Sequence, residues 1–123
     1  MPKRVLDVGQ CVPDHTTIRN YLTSRFDVDV VRTHGPEDTF QELRKQKFDL
    51  VLINRKLDRD YSDGLEILKQ IKADEKLAST PVMIVTNYPE HQDAAVAAGG
   101  VRGFGKLEYD KPETEQKLAE FLA

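Results

Sequence analysis

The sequence predicts an α/β fold in which five parallel strands form one sheet with helices on both faces. Two observations predict it. Short aliphatic runs alternate with amphipathic segments along the whole chain. The run Asp49-Leu50-Val51-Leu52-Ile53-Asn54 is also apolar without alternation, as a strand buried on both faces of a parallel sheet must be. At 123 residues the chain is long enough to bury one core without metal or disulfide staples, and one domain spanning residues 1–123 is expected.

The elements follow in order. Arg4 to Val8 reads as the first strand, and Asp14 to Ser24 as a helix with Ile18, Tyr21 and Leu22 at helical spacing. Val28 to Arg32 is the second strand. Gly35-Pro36-Glu37-Asp38 then opens a helix, with proline in the first turn, acids at the positive end of the dipole, and Phe40 and Leu43 facing inward. The third strand ends at Asn54. A polar loop from Arg55 to Asp63 leads to a helix from Gly64 to Lys76, striped by Leu65, Leu68 and Ile71. Pro81 precedes a fourth strand, Val82 to Val85, which ends at Thr86. A helix from Glu90 to Ala98 follows and stops at Gly99-Gly100. A fifth strand is expected over Val101 to Lys106, and a last helix over Glu113 to Leu122 with Leu118, Phe121 and Leu122 inward. Right-handed crossovers place the turns after residues 8, 54, 86 and 105 on one edge of the sheet, the edge where ligands collect in open α/β folds.

Bulk composition narrows the function classes. Eighteen basic and 21 acidic residues give a net charge of -3, with neither sign in a long block, which argues against nucleic acid as the main partner. The only cysteine, Cys11, cannot form an internal disulfide, and no apolar stretch approaches the ~20 residues of a membrane span. Met1-Pro2-Lys3-Arg4 does not lead into a secretory signal, because Val5-Leu6 is followed at once by Asp7 and Gly9. A cytoplasmic protein with no membrane partner is expected.

Four segments, in this order and spacing, resemble the receiver domain of bacterial two-component signalling, whose fold is flavodoxin-like. They are Asp49 to Asn54, Asp63-Gly64-Leu65-Glu66-Ile67-Leu68, Pro81 to Asn87, and Gly100-Val101-Arg102-Gly103-Phe104. The resemblance implies a (βα)5 sandwich. It also implies a phosphoacceptor aspartate at the end of the third strand, and magnesium held by that aspartate and by an acidic pair after the first strand. Here the acceptor position is Asn54, and the acidic-pair positions are Gly9 and Gln10. An amide is a poor nucleophile at neutral pH, and magnesium is usually held by one or two carboxylates with several waters. No cofactor and no catalytic residue are therefore expected, nor an enzyme.

Other acids lie near. Asp7 shares a face of its strand with Gly9, about 6–7 Å deeper. In an inner strand it must be neutralised, paired with a cation or hydrogen-bonded. Asp14 reads as a helix N-cap. The 58–63 loop carries Asp58, Asp60 and Asp63, but its glycine and Lys69 fall out of step with a calcium loop, so a solvated acidic loop is expected. This loop is longer than is usual in the family.

The resemblance also assigns switch-like positions, Thr86 and Phe104, and a site lysine. Lys106 is preferred for the lysine because it can stay at the end of the fifth strand. Lys111, followed by Pro112, is the alternative. Cys11 is expected to be small and mostly buried near a helix start, and His15, His34 and His91 are expected at the surface without ligand spacing.

The leading reading is an atypical receiver acting by protein-protein interaction. Its expected partner is a histidine kinase, an effector domain, another receiver or a second copy of the chain, met through the last helix-strand-helix face with Tyr88, Arg102 and Tyr109 as contact residues. Two alternatives stand beside it. One is a small-ligand or anion binder using the Gly9-Gln10 turn and helix N-termini; the other is a receiver phosphorylated at a displaced aspartate, Asp7 or one in the 58–63 loop.

Overall fold

A computed structural model describes residues 2–123. The elements run β1 (Lys3–Val8), α1 (Val12–Arg25), β2 (Val28–Thr33), α2 (Pro36–Lys45), β3 (Leu50–Asn54), α3 (Gly64–Ala73), β4 (Val82–Val85), α4 (Pro89–Ala97) and α5 (Pro112–Leu122). The strands are parallel in the order β2-β1-β3-β4, with Val8 opposite Ile53 and Asn54 opposite Val85.

Helix starts are set locally. Proline stands in the first turn of α1, α2, α4 and α5, where its missing N–H is no loss and its fixed φ suits the helix. The remaining helix, α3, is capped by Asp63, whose carboxylate accepts from Leu65 N at 2.9 Å. Pro13 draws the start of α1 back to Val12. Asp14 is therefore inside the first turn rather than the N-cap, a position taken by Cys11, which is exposed rather than buried.

Side chains alternate between two cores, as the pleat requires. Leu6, Val8, Val51, Ile53, Val82 and Ile84 pack against α2, α3 and α4. Val5, Leu50, Leu52, Met83 and Val85 pack against α1, α5 and Phe104. Among the described residues no helix is long and apolar enough to cross a membrane.

The expected fifth strand does not form, and the sheet has four strands. Residues 101–105 do run beside β4, where Val101 N donates to Val82 O at 2.8 Å and Thr86 N donates to Phe104 O at 3.1 Å. Between these two bonds the Gln92 amide of α4 enters the gap. Its Nε2 donates to Ile84 O at 2.9 Å, and its Oε1 accepts from Gly103 N at 2.8 Å. One side chain thus occupies the place of a main-chain ladder. Val101 and Phe104 carry strand propensity, but nothing local in the segment reveals an amide inserted from another element.

Gln92 is buried, and replacing it by leucine leaves a buried carbonyl and a buried N–H without partners. We expect Gln92→Leu to lose about 2–4 kcal/mol in urea unfolding, since each unsatisfied buried group costs about 1–3 kcal/mol. A variant as stable as the wild type would show that the segment can complete the ladder unaided.

Candidate functional site

The carboxyl edge of β1, β3 and β4 gathers the turns that the alternation placed there. At its centre Asn54 acts as a double donor. Its Nδ2 donates to Lys56 O at 2.7 Å and to Gly9 O at 3.2 Å, tying the loop after β3 to the turn after β1. Its Oδ1 faces Lys106, whose Nζ is 3.5 Å away. The ammonium is held more closely by Asp14, at 2.6 Å, and holds that carboxyl below the usual carboxylate range. Lys106 is thus the lysine beside Asn54. Lys111 stands at the N-cap of α5 and pairs with Glu108 at 3.7 Å.

The two acidic-pair positions are shaped against a carboxylate. Gly9 adopts φ +76°, in the left-handed region that favours glycine, and a Cβ there would run into the side chain of Leu57. The Gly9 carbonyl is turned to accept from Asn54 and from Asp58 N at 3.0 Å. Gln10 is fully buried, its carbonyl accepts from Arg32 at 3.0 Å, and neither of its amide atoms has a protein partner among the described residues. Each acid of the 58–63 loop also has a structural task. Asp58 lies 3.7 Å from Arg32 and 3.6 Å from His34. Asp60 accepts from Ser62 N and Oγ beside Tyr61, which adopts φ +59°, and Asp63 caps α3 and pairs with Arg55 at 3.1 Å. Among the described residues no three His, Cys, Asp or Glu side chains come together to hold a metal.

Asp7 lies beneath this edge, wholly buried on the α1 side of the sheet. Its Oδ2 is 2.6 Å from His15 Nδ1, and Arg32 is its cross-strand neighbour. His15 is therefore not a surface residue but the partner of a strand carboxylate. Burial pushes the Asp7 carboxyl up to about 6, against the opposing pull of His15 and Arg32. Its other oxygen, like the hydroxyls of Tyr21 and Tyr109, lacks a protein partner among the described residues. Tyr109, expected as a surface contact, is turned inward instead. Its ring lies 4.9 Å from that of Tyr21, and burial, then the nearby Asp7 and Asp14, hold its hydroxyl well above the usual tyrosine range.

At the end of β4 the Thr86 hydroxyl lies 3.1 Å from His91 Nδ1 and accepts from Tyr88 N at 3.3 Å. Phe104 is packed in the core, with its ring 5.9 Å from that of Tyr109. Sequence reasoning missed His15, His91 and Gln92 as site-shaping residues. A helix-borne histidine or glutamine carries no sign of which strand it faces. Asp7 alone held a usable signal, because an acid in an inner strand demands a partner.

A four-stranded parallel sheet flanked by five helices, with polar turns gathered at its carboxyl edge, defines a receiver-type α/β domain. Residues 11–122 match the response regulator receiver domain, and the chain belongs to that family. It is a receiver domain of two-component signalling, a class of signalling modules. Solved structures agree in fold. A putative response regulator from Chloroflexus aurantiacus superposes with a TM-score of 0.83 at 17% identity, over 98% of both chains. The chemotaxis response regulator CheY4 of Vibrio cholerae gives 0.74 at 18%, over 98% of both chains. A response regulator receiver protein from Pseudomonas putida gives 0.71 at 24%, over 98% of this chain and 95% of the other.

The buried carboxyl generates a pH dependence. The folded state raises Asp7 from 3.8 to about 6, so it binds the proton more tightly than the unfolded chain does, and this contribution is lost as pH rises from about 4 to about 6. In a urea series the wild type should lose on the order of 2–3 kcal/mol relative to Asp7→Asn across that window. A constant difference between the two proteins would show that Asp7 ionises as easily folded as unfolded.

Proposed function

We propose that residues 1–123 form one atypical receiver unit that works without phosphorylation at position 54 and acts by binding another signalling protein in the cytoplasm. The observation that carries this reading is the Asn54 amide, spent as a donor on two carbonyls while Lys106 takes its counter-charge from Asp14. The lone pair of an amide nitrogen is delocalised into its carbonyl and is a poor acceptor for a phosphoryl group, and the amide oxygen faces an ammonium. The three positions where receivers usually hold magnesium present a hydrogen atom, a buried amide and this tethered amide. That donor set does not suit a hard dication that favours carboxylate oxygens and water. Asp7 is a poor substitute acceptor because it is buried beneath α1, and Asp14 is committed to Lys106.

Thr86 and Phe104 fit a fixed output state. The Thr86 hydroxyl is bonded to His91 and the Phe104 ring is packed inward, so neither awaits an incoming phosphoryl group. The surface of α4, residues 101–106 and α5 is the proposed contact face. Tyr88 is 59% exposed and Leu107 is 78% exposed there, beside the Arg102–Asp93 ion pair, and aromatic and apolar anchors of this kind dominate binding energy at interfaces. A histidine kinase, an effector domain, another receiver or a second copy of this chain are the partner classes.

Incubation with magnesium and a small acyl phosphate, followed by intact-mass measurement, tests the reading. The expected outcome is no added phosphoryl group. An adduct mapped to an aspartate would overturn it in favour of a displaced acceptor.

A further inference from the structure

Eight buried side-chain nitrogens and oxygens lack a protein partner among the described residues, and contacts link the residues that carry them into one group. Asp7 Oδ1 and both ends of the Gln10 amide are at its centre, on residues with no exposed surface. Arg32 joins the two. It stands opposite Asp7 in the β1–β2 ladder and donates to Gln10 O at 3.0 Å, while its Nε is left over. On one side lie the Tyr109 hydroxyl, near enough to Asp7 to feel its charge, and the Tyr21 hydroxyl, on a ring 4.9 Å from that of Tyr109. On the other, Arg32 stops 3.7 Å from Asp58, and Asp58 stops 3.6 Å from His34, too far for hydrogen bonds. Asp58 Oδ1 and His34 Nδ1 are left over there.

Folded proteins leave few such atoms, because each gives up its hydration for nothing in return. A group of them in one place points to a ligand, and their chemistry selects it. Arg32 Nε and Gln10 Nε2 only donate, the carboxylate oxygens of Asp7 and Asp58 and the Gln10 amide oxygen accept, and the two tyrosine hydroxyls do either. A cation would satisfy the acceptors alone and be repelled by Arg32. An anion would satisfy the donors alone and be repelled by Asp7 and Asp58. A neutral molecule that both donates and accepts serves the whole set. Asp7 and Gln10 are closed off from solvent, which limits that molecule to the size of water.

We propose that Asp7, Gln10, Arg32 and Tyr109 enclose an internal hydration site whose ligand is ordered water. About two or three waters suit the set, since a buried water makes about three hydrogen bonds. They bridge Gln10 to Asp7 and Asp7 to Tyr109, and so tie the turn after β1 to the turn ahead of α5 beneath α1. Gln10 thereby has a task of its own, as a water-holding residue. The site stands apart from the question of phosphorylation at position 54.

The test is oxygen-17 magnetic relaxation dispersion of water with the full chain, which detects long-lived internal waters and is blind to exchange of tyrosine hydroxyl protons. It is run on wild type, Gln10→Leu and Tyr109→Phe, with a urea unfolding curve for each. Gln10→Leu keeps the bulk and removes two of the unpartnered atoms, so the dispersion amplitude should fall by that of at least about one water. Tyr109→Phe keeps the ring on Tyr21 and removes only the hydroxyl. A hydroxyl bonded to water stabilises the fold, so its loss should lower the urea midpoint; an unpaired one costs stability, so its loss would raise the midpoint. Tyr61→Phe, at a tyrosine 74% exposed, should change neither reading. Equal dispersion in wild type and Gln10→Leu, or a raised midpoint for Tyr109→Phe, would overturn the site. Should Gln10→Leu fail to fold, the direction of the Tyr109→Phe midpoint decides.

Discussion

The carboxyl edge of this receiver is organised by one side-chain nitrogen. Asn54 Nδ2 joins the carbonyl of Gly9 to the carbonyl of Lys56, and so fixes the turn after β1 against the loop after β3. The left-handed Gly9, the Leu57 side chain packed over it and the Asp58 N–H bonded to the same carbonyl all belong to this arrangement. A carboxylate at position 54 would set negative oxygen against two carbonyl oxygens. The asparagine is therefore a structural donor, and the carbonyls of Gly9 and Lys56 are the partners that its geometry serves.

Charge then redistributes across the edge. Without acids at 9, 10 and 54, Lys106 finds Asp14 in the first turn of α1, and Arg55 finds Asp63 at the cap of α3. These half-exposed pairs contribute little stability individually. They do set positions: the lysine stays beside Asn54, and the guanidinium stays beside the cap of α3. Beneath them the Asp7–His15 contact fastens α1 to the centre of the sheet, a buried polar tie that costs the fold when Asp7 is ionised. The edge thus combines a rigid amide bridge, neutralised rim charges and one titratable pair below.

Much of the scaffold was legible because it depends on periodicity and local chemistry. The uninterrupted apolar run 50–53 became the buried strand β3, and Pro36 marked the start of α2. What sequence could not reveal came from contacts between distant elements. Residues 101–105 have strand composition, yet Gln92 holds them off β4. Tyr109 turned inward because Tyr21 offered a ring to pack on, and Cys11 is exposed because the helix starts there. That residues 9, 10 and 54 carry no carboxylate could be read residue by residue. The reason that an amide suits position 54 could not, because the two carbonyls it serves are set by the fold.

The most direct measurement is the unfolding free energy of Asn54→Asp relative to wild type, taken in urea at neutral and at acid pH. An amide required as a donor predicts a loss of about 1–3 kcal/mol at neutral pH, the cost of unsatisfied or repelled polar partners. Because the folded state would then disfavour the ionised carboxylate, part of that loss should return as pH falls toward about 4 and the side chain protonates. An Asn54→Asp protein as stable as wild type at neutral pH, or more so, would contradict the view that the carboxyl edge is built around the asparagine amide.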